Sequence, residues 1–166
     1  TAYALANALG RCTAEVLQRL RAGEPQLSPL PEGTPFAGVC GALAGPLDAL
    51  PDSLQPIDSR NNRIAKLVLD ELQGPLREAI DRWGAQRVGI AVGSSTGSMD
   101  EAERAFASHR ETGELPIGFD FQLQLGMETL LTTIRAITGI AGPATMVSTA
   151  CSSSGKTFAT AGRWLN

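Results

Sequence analysis

Two stretches of this chain constrain its fold most, because in each a short apolar run leads into a turn of small residues. The first runs over Arg87–Val92 and continues into a glycine- and serine-rich turn, Gly93–Ser98. The second runs over Ala144–Ser148, passes through a turn at Cys151 and enters a helix-compatible run, Thr157–Leu165. Each apolar run is expected to be a strand, and the order of strand, turn and helix is typical of α/β sheets.

Apolar residues at helical spacing predict further helices along the chain. A first helix is expected at Thr13–Ala22, with Thr13 as its cap. A second is expected from a cap at Asp58 or Ser59 to Leu72; Gly74-Pro75 should interrupt it, and a third should follow at Pro75–Trp83. Two more helices are expected at Asp100–Arg110 and Leu123–Thr138. A further strand is expected within Phe36–Leu43. Strands and helices alternate, which predicts an α/β sheet with helices packed on it, as a single domain or one half of one.

Composition excludes several classes of protein. The chain has 166 residues and a formal net charge of -3 without a basic block, so a general nucleic-acid binder is not expected. No apolar run reaches membrane-spanning length, so neither a membrane span nor a signal peptide is expected. The wide spacing of Cys12, Cys40 and Cys151 fits neither a disulfide framework nor a metal site, which favours a cytoplasmic setting. Because the chain begins at Thr1 rather than Met and stops just after Leu165, we expect it to be part of something longer.

Cys151 is the leading candidate for chemistry. It stands between an apolar run and a helix-compatible run, where unpaired backbone N–H groups and the helix dipole favour a thiolate. Its small neighbours, including Ala150 and Gly155, allow a substrate to approach the backbone closely. A buried structural cysteine is the alternative. The position at a sharp turn resembles a nucleophile elbow and favours a nucleophile.

A phosphate-binding loop is a second interpretation of the same residues. Ala150–Thr157 approaches the pattern Gly-x-x-x-x-Gly-Lys-[Ser/Thr], with Gly155, Lys156 and Thr157 in place. Ala150 stands where a tight cradle requires glycine, and only nine residues follow Thr157, which leaves little room for a magnesium-binding aspartate.

Other charged groups have simpler interpretations: the one histidine, His109, is expected to be a solvated helix residue, and Arg60, Arg63 and Lys66 form either a solvated face or an anion-docking patch.

Residues 148–154, Ser-Thr-Ala-Cys-Ser-Ser-Ser, resemble the active-site motif of the β-ketoacyl synthases, condensing enzymes of the thiolase superfamily. Residues 6–10 (Ala-Asn-Ala-Leu-Gly) resemble that family's opening turn, and residues 59–63 (Ser-Arg-Asn-Asn-Arg) the start of its second helical segment. Arg87–Gly97 resembles the strand and turn that precede the acyl pocket. The resemblance covers residues 1–166, which would form the N-terminal half of the family's layered α-β-α, thiolase-like fold. Within the family, the chain resembles the elongating synthases of fatty-acid or polyketide type that depend on a carrier protein.

The resemblance implies an acyltransferase that needs no cofactor or metal. Cys151 would take an acyl chain from a thioester, and its backbone N–H would form part of an oxyanion hole. The acyl-cysteine would then condense with a malonyl thioester that loses carbon dioxide. Thr96 falls where the family lines its acyl pocket, and Arg60 and Arg63 fall where relatives meet an acidic acyl carrier protein. Coenzyme A thioesters are the alternative substrates.

The resemblance also implies partners. The strand before Cys151 pairs across the two-fold axis in the family's dimers, so a homodimer is expected. Both catalytic histidines of the family, its second oxyanion donor and its lysine lie in a C-terminal half that follows the part matched here, and His109 fits neither histidine motif. A non-catalytic, dimerising half is therefore the remaining alternative, although non-catalytic relatives often replace the cysteine that this chain keeps.

Overall fold

The chain alternates helices and short strands over residues 1–165, which the computed structural model describes. The helices are α1 Thr13–Ala22, α2 Arg60–Trp83, α3 Met99–Thr112, α4 Phe121–Leu125, α5 Glu128–Thr138 and α6 Ser153–Trp164. The strands are β1 Ser28–Pro29, β2 Val39–Cys40, β3 Ile90–Gly93 and β4 Ala144–Val147. Short 3₁₀ helices lie at Asp52–Ile57 and Ala85–Arg87.

Strands β3 and β4 form the parallel pair around which the helices are arranged. Their register runs from Ile90 opposite Ala144 to Gly93 opposite Val147. Helix α6 packs against both strands, α5 packs against β4, and α2 packs against α5. The expected alternation of strands and helices is confirmed. The strand expected within Phe36–Leu43 is reduced to β2, which pairs antiparallel with β1.

Helix α2 is one continuous helix, and the predicted interruption at Gly74-Pro75 is wrong. Ser59 caps it, because its side chain accepts a hydrogen bond from the backbone N of Asn62 at 3.3 Å. The helix runs through Pro75, which lies on an exposed face together with Gly74. Proline removes one helical hydrogen bond. The packing of α2 against α5 stabilises the helix despite this loss.

The single helix predicted at Leu123–Thr138 is in fact two helices. Asp120 caps α4, since its Oδ1 accepts hydrogen bonds from Gln122 N at 2.8 Å and Leu123 N at 2.9 Å. The chain then leaves helical geometry at Gly126, where φ is -60° and ψ is 126°. Gly126 packs tightly against the Gln122 carbonyl, so a side chain at this position would clash with the backbone. The break places α4 beside α3 and leaves α5 free to pack on α2.

Helix α1 begins after Cys12, so the prediction that Thr13 caps it is wrong. Thr13 is its first residue, and its Oγ1 accepts a hydrogen bond from Leu5 N at 3.0 Å. The carboxylate of Glu71, on α2, accepts a hydrogen bond from Thr13 N at 3.0 Å. A side chain of another helix thus satisfies one of the unpaired N–H groups at the start of α1.

The buried apolar core of the described chain is small. Leu50, Leu54 and Ile57 pack together with the half-buried Ile137. Several large apolar side chains remain exposed, among them Ile117, Leu165, Phe158 and Phe106. Exposed apolar surface of this extent is typical of a face that another element or chain covers.

Candidate functional site

The Cys151 turn joins β4 to α6 and presents an exposed thiol. Its backbone is strained at Ala150, whose φ of 51° lies in the left-handed region that residues other than glycine rarely adopt. Helix α6 begins at Ser153 rather than at the predicted Thr157, so Cys151 lies two residues before its first turn. Cys151 is exposed, in agreement with a reactive thiol rather than a buried structural one.

Hydroxyl groups hold this turn in place. Thr149 N donates a hydrogen bond to Ser153 Oγ at 2.9 Å, and Ser153 Oγ donates to the Ala150 carbonyl at 2.7 Å. Ser152 Oγ donates to the Thr149 carbonyl at 2.9 Å. Ser153 is 3% exposed, so its two hydrogen bonds are shielded from water. The serines of the motif therefore act as a local scaffold that fixes the backbone on both sides of the thiol.

A second turn, at residues 94–98, meets the Cys151 turn at the same edge of the sheet. It follows β3 as the Cys151 turn follows β4, and these strands are parallel neighbours. Ser94 N donates a hydrogen bond to the carbonyl of Val147, the last residue of β4, at 3.2 Å, which holds the second turn against the end of that strand. Ligands of open parallel sheets bind beyond the carboxyl ends of the strands, where these two turns lie.

Thr96 lies in this second turn and is exposed. Ser94 Oγ donates to the Thr96 carbonyl at 2.7 Å and accepts from Thr96 N at 3.3 Å, which closes the turn on itself. The Thr96 side chain is therefore presented to the open edge of the sheet by a turn of defined shape.

The geometry of residues 150–157 argues against a phosphate-binding loop. Such a loop needs backbone N–H groups that point at the phosphate. Here Ser152 N and Ser153 N donate to the carbonyls of Thr149 and Ala150, and Lys156 N donates to the Ser152 carbonyl. Gly155, Lys156 and Thr157 lie within helix α6 instead of a cradle.

The two candidate docking arginines at the start of α2 differ in their surroundings. Arg63 makes two hydrogen bonds to the Asp58 carboxylate, from Nε at 2.7 Å and from Nη2 at 2.6 Å. Those bonds raise the pKa of the Arg63 guanidinium above its ordinary value, more than partial burial lowers it. Arg60 is exposed and donates to the Leu43 carbonyl at 3.2 Å. Arg60 therefore presents a positive charge to solvent, whereas Asp58 neutralises that of Arg63.

An apolar cavity of about 570 Å³ lies between α3 and α4, and the sequence interpretation missed it. Its lining includes Phe106, Leu115, Phe119, Phe121 and His109. The aromatic residues on either side of the expected loop, Thr112–Gly118, are the sequence feature that could have indicated this cavity. His109 is exposed on α3, as expected, and lines this cavity rather than the turn at Cys151.

Residues 1–165 contain neither a metal-binding cluster nor a membrane-spanning helix. No group of three or more His, Cys, Asp or Glu side chains in this part of the chain is arranged to hold a metal ion. Nor does any of its helices combine the length and the apolar character needed to cross a membrane.

Comparisons with known proteins find similarity among solved structures. No protein-family model matches the chain, and no curated protein matches it. Among solved structures, it is similar to a ketosynthase, ApeO, in complex with its chain length factor, ApeC, from Xenorhabdus doucetiae. The TM-score is 0.81 at 27% sequence identity, and the match covers 98% of this chain and 42% of that chain.

This similarity fixes the fold class. The chain has a ketosynthase-like fold and forms part of a thiolase-like α/β architecture, as the sequence predicted. It spans less than half of the length of the structure that it matches. The neighbour is a complex of two different chains, so a partner chain is a feature of that protein.

Proposed function

We propose that residues 1–166 are the N-terminal, nucleophile-bearing half of a β-ketoacyl synthase. The observation that carries this proposal is the exposed thiol of Cys151, held by serine hydroxyls at the carboxyl edge of a parallel strand pair in a chain with a ketosynthase-like fold. In this proposal the enzyme is a cytoplasmic acyltransferase of fatty-acid or polyketide synthesis. The unpaired state of Cys12, Cys40 and Cys151 accords with a reducing compartment.

The first chemical step forms a thioester on Cys151. The thiolate attacks the carbonyl carbon of an acyl thioester, and the backbone N–H of Cys151 stabilises the developing oxyanion. The carbon–sulfur bond to the carrier then breaks, and the carrier leaves as a thiolate that takes up a proton. Thr96, exposed on the neighbouring turn, contacts the acyl chain in this proposal.

The second step needs the C-terminal half of the fold. A malonyl thioester loses carbon dioxide, and the resulting carbanion attacks the acyl group on Cys151, which releases the thiol and gives a β-ketoacyl thioester. Two histidines of the C-terminal half assist this step. The exposed apolar side chains of the described chain, such as Ile117 and Phe158, accord with a half that is covered by further structure.

The acyl donor is proposed to be an acyl carrier protein rather than free coenzyme A. Carrier proteins are acidic, and Arg60 places an exposed guanidinium at the start of α2. Arg63 contributes less, because its charge is already paired with Asp58. Charge complementarity of this kind mainly raises the rate of association and weakens with salt.

A dimer through β4 completes the proposal. Within residues 1–165, β4 pairs with β3 alone, which leaves its other edge open for a strand of a second chain. A homodimer is the expected form, and sedimentation equilibrium of the intact protein tests it. A mass of one chain at micromolar concentration would contradict the dimer.

A non-catalytic half is a second candidate, favoured by one observation. The structural neighbour is a ketosynthase in complex with its chain length factor, so a chain of this fold has a partner that differs from it. In that case the chain would dimerise with a ketosynthase without forming an acyl intermediate. Acylation of Cys151 distinguishes the two candidates.

Mass spectrometry of the intact protein tests the proposal. After incubation with a medium-chain acyl thioester of a carrier protein, trypsin should release the peptide 136–156 with the acyl group on Cys151. The half-buried Cys12 and Cys40 are internal controls and should remain unmodified. Substitution Cys151→Ala should remove the adduct. Absence of the adduct from a sample that contains the second half would overturn the catalytic assignment and favour the non-catalytic one.

A further inference from the structure

The serines at the N-cap positions of α2 and α3 hydrogen-bond to each other. Ser98 Oγ donates to Ser59 Oγ at 2.8 Å, and the two residues are 2% and 3% exposed. Ser59 also caps its own helix by accepting from Asn62 N, whereas the Ser98 side chain forms no capping bond to α3. A serine at an N-cap usually bonds to its own helix. The hydroxyl of Ser98 instead attaches the start of α3 to the start of α2.

This bond belongs to a buried polar cluster that joins three helices. Asn62 Nδ2 donates to the Ile57 carbonyl at 2.8 Å and to Thr129 Oγ1, on α5, at 3.4 Å. Thr129 Oγ1 in turn donates to the Gly126 carbonyl at 2.9 Å. Asn62 Oδ1 has no hydrogen-bond partner among the described residues, so the cluster is held by the bonds that its side chains donate. Buried hydrogen bonds of this kind favour one relative placement of the elements that they join.

Ser98 is also the last residue of the turn 94–98. The turn is anchored at its beginning by the bond from Ser94 N to the Val147 carbonyl. Near its end, Gly97 lies so close to the Leu125 carbonyl oxygen that an added Cβ would stand 2.7 Å from it. The bond to Ser59 is the buried anchor of this end, and it connects the turn to the rigid helix α2.

The Cys151 turn is held by different groups. Its bonds run among Thr149, Ala150, Ser152 and Ser153, and the described hydrogen bonds of this turn involve no residue of the buried cluster. A substitution at Ser98 can therefore move the turn 94–98 while the thiol keeps its environment.

Resting on the proposed function, we propose that Ser98 is a positioning residue. Its hydrogen bond to Ser59 holds the turn that carries Thr96, and the placement of this turn sets the enzyme's preference for the length of the acyl chain. The thiol chemistry of Cys151 does not depend on it. When the bond is intact, the turn has one placement and the acyl pocket one shape. When the bond is lost, the turn samples further placements, and discrimination between acyl chains of different length decreases.

The test combines hydrogen exchange with acylation in the intact protein. In Ser98→Ala, amide exchange of residues 94–98 should rise about tenfold, because a buried hydrogen bond is lost. The ratio of Cys151 acylation rates for a long and a short acyl thioester should change about fivefold or more. The rate of Cys151 alkylation by iodoacetamide should stay within about twofold of the original, since the Cys151 turn is anchored separately.

Two variants serve as comparisons. Thr133→Val removes a hydroxyl that is equally buried but has no hydrogen-bond partner among the described residues, so exchange and selectivity should not change. Ser98→Thr keeps the hydroxyl and should restore the acyl-chain preference that Ser98→Ala loses.

Each outcome bears on a separate statement. Unchanged exchange of residues 94–98 in Ser98→Ala overturns the positioning role, whether or not the protein is acylated. Increased exchange with unchanged chain-length ratio overturns the link to specificity. If the original protein forms no acyl adduct at all, the proposed function fails, and the exchange result still decides whether Ser98 holds the turn.

Discussion

Gly93 and Ser153 are in direct backbone contact. A Cβ added to Gly93 would lie 2.7 Å from the carbonyl carbon of Ser153 and 2.8 Å from its oxygen. Gly93 is the last residue of β3, and Ser153 is the first residue of α6. The absence of a side chain at Gly93 therefore lets α6 begin against the sheet, immediately after the exposed thiol of Cys151.

Gly93→Ala should disturb the Cys151 turn more than any other small substitution nearby. The added methyl group meets backbone atoms, which cannot rotate away, so we expect a loss of about 1–3 kcal/mol in the free energy of unfolding. Acylation of Cys151 should fall about tenfold or more as the turn shifts. Chemical denaturation and the mass-spectrometric assay measure the two effects.

Gly155→Ala is the matched control for that substitution. Gly155 lies in the same helix with no atom within 4 Å of an added Cβ. Alanine should therefore raise the free energy of unfolding by about 0.5 kcal/mol through its helix propensity. Equal effects of the two substitutions would show that the contact between Gly93 and Ser153 does not constrain the turn.

Ala150→Gly should relieve the strain in the Cys151 turn. Ala150 has a φ of 51°, where a Cβ costs about 1 kcal/mol, so glycine should stabilise the protein by about that amount. Ala159→Gly, in the interior of α6, should instead destabilise it by about 0.5–1 kcal/mol. Thermal unfolding of the two variants checks the opposite signs. A loss of stability in Ala150→Gly would contradict the left-handed conformation.

Arg60 and Arg63 should differ in their response to substitution. Arg63→Gln leaves the Asp58 carboxylate, which is 6% exposed, without its partner. We expect a loss of about 1–2 kcal/mol at pH 7, a value reduced because Arg63 itself is partly solvated. The raised pKa of Arg63 keeps this contribution present throughout neutral and mildly alkaline pH, and it is lost only as the pH rises through that value.

Arg60→Gln should leave stability within about 0.5 kcal/mol, because Arg60 is exposed. The affinity of the Arg60→Gln protein for an acidic carrier protein should be about fivefold lower than that of the original protein at low salt, and the difference should be smaller at high salt. Titration by fluorescence anisotropy at two salt concentrations measures this. If Arg63→Gln weakens carrier binding more than Arg60→Gln in a protein that is still folded, the division of roles is wrong.

Pro75→Ala should stabilise α2. The proline lies inside a continuous helix of 24 residues, and alanine restores a backbone hydrogen bond at an exposed position. An increase of about 1–3 kcal/mol in the free energy of unfolding is expected, and Gly74→Ala should add about 0.5–1 kcal/mol. If α2 were two helices, Pro75 would occupy a favourable first turn and alanine would destabilise the protein.

The sequence predicted the elements whose signals are local and strong. Alternating strands and helices and the turn at Cys151 follow from residue types at short spacing, and the structure has them where those patterns indicated. The sequence left the cap of α2 open between Asp58 and Ser59, and the structure assigns it to Ser59. The fold class is confirmed by the structural neighbour. The roles of Cys151, Thr96, Arg60 and Arg63 stay predictions that the experiments above address.

Tertiary contacts decided the elements that the sequence missed. No residue near Gly74-Pro75 indicates that α2 continues through the proline, because the stabilising contact is with α5. Gly126 ends a helix although the residues on both sides of it keep a helical pattern of apolar side chains. The bond between Ser59 and Ser98 joins residues far apart in sequence, so no local pattern could indicate it.

The hydrogen bond from Thr13 N to the carboxylate of Glu71 ties the formation of α1 to that of α2. A helix of ten residues is too short to be stable by itself in water, and one of the carboxylates that complete the start of α1 comes from a helix more than fifty residues later in the chain. We therefore expect α1 to become stable only after α2 has been synthesised and has formed. On that expectation, the N-terminal segment docks onto α2 and is not the folding nucleus of the domain.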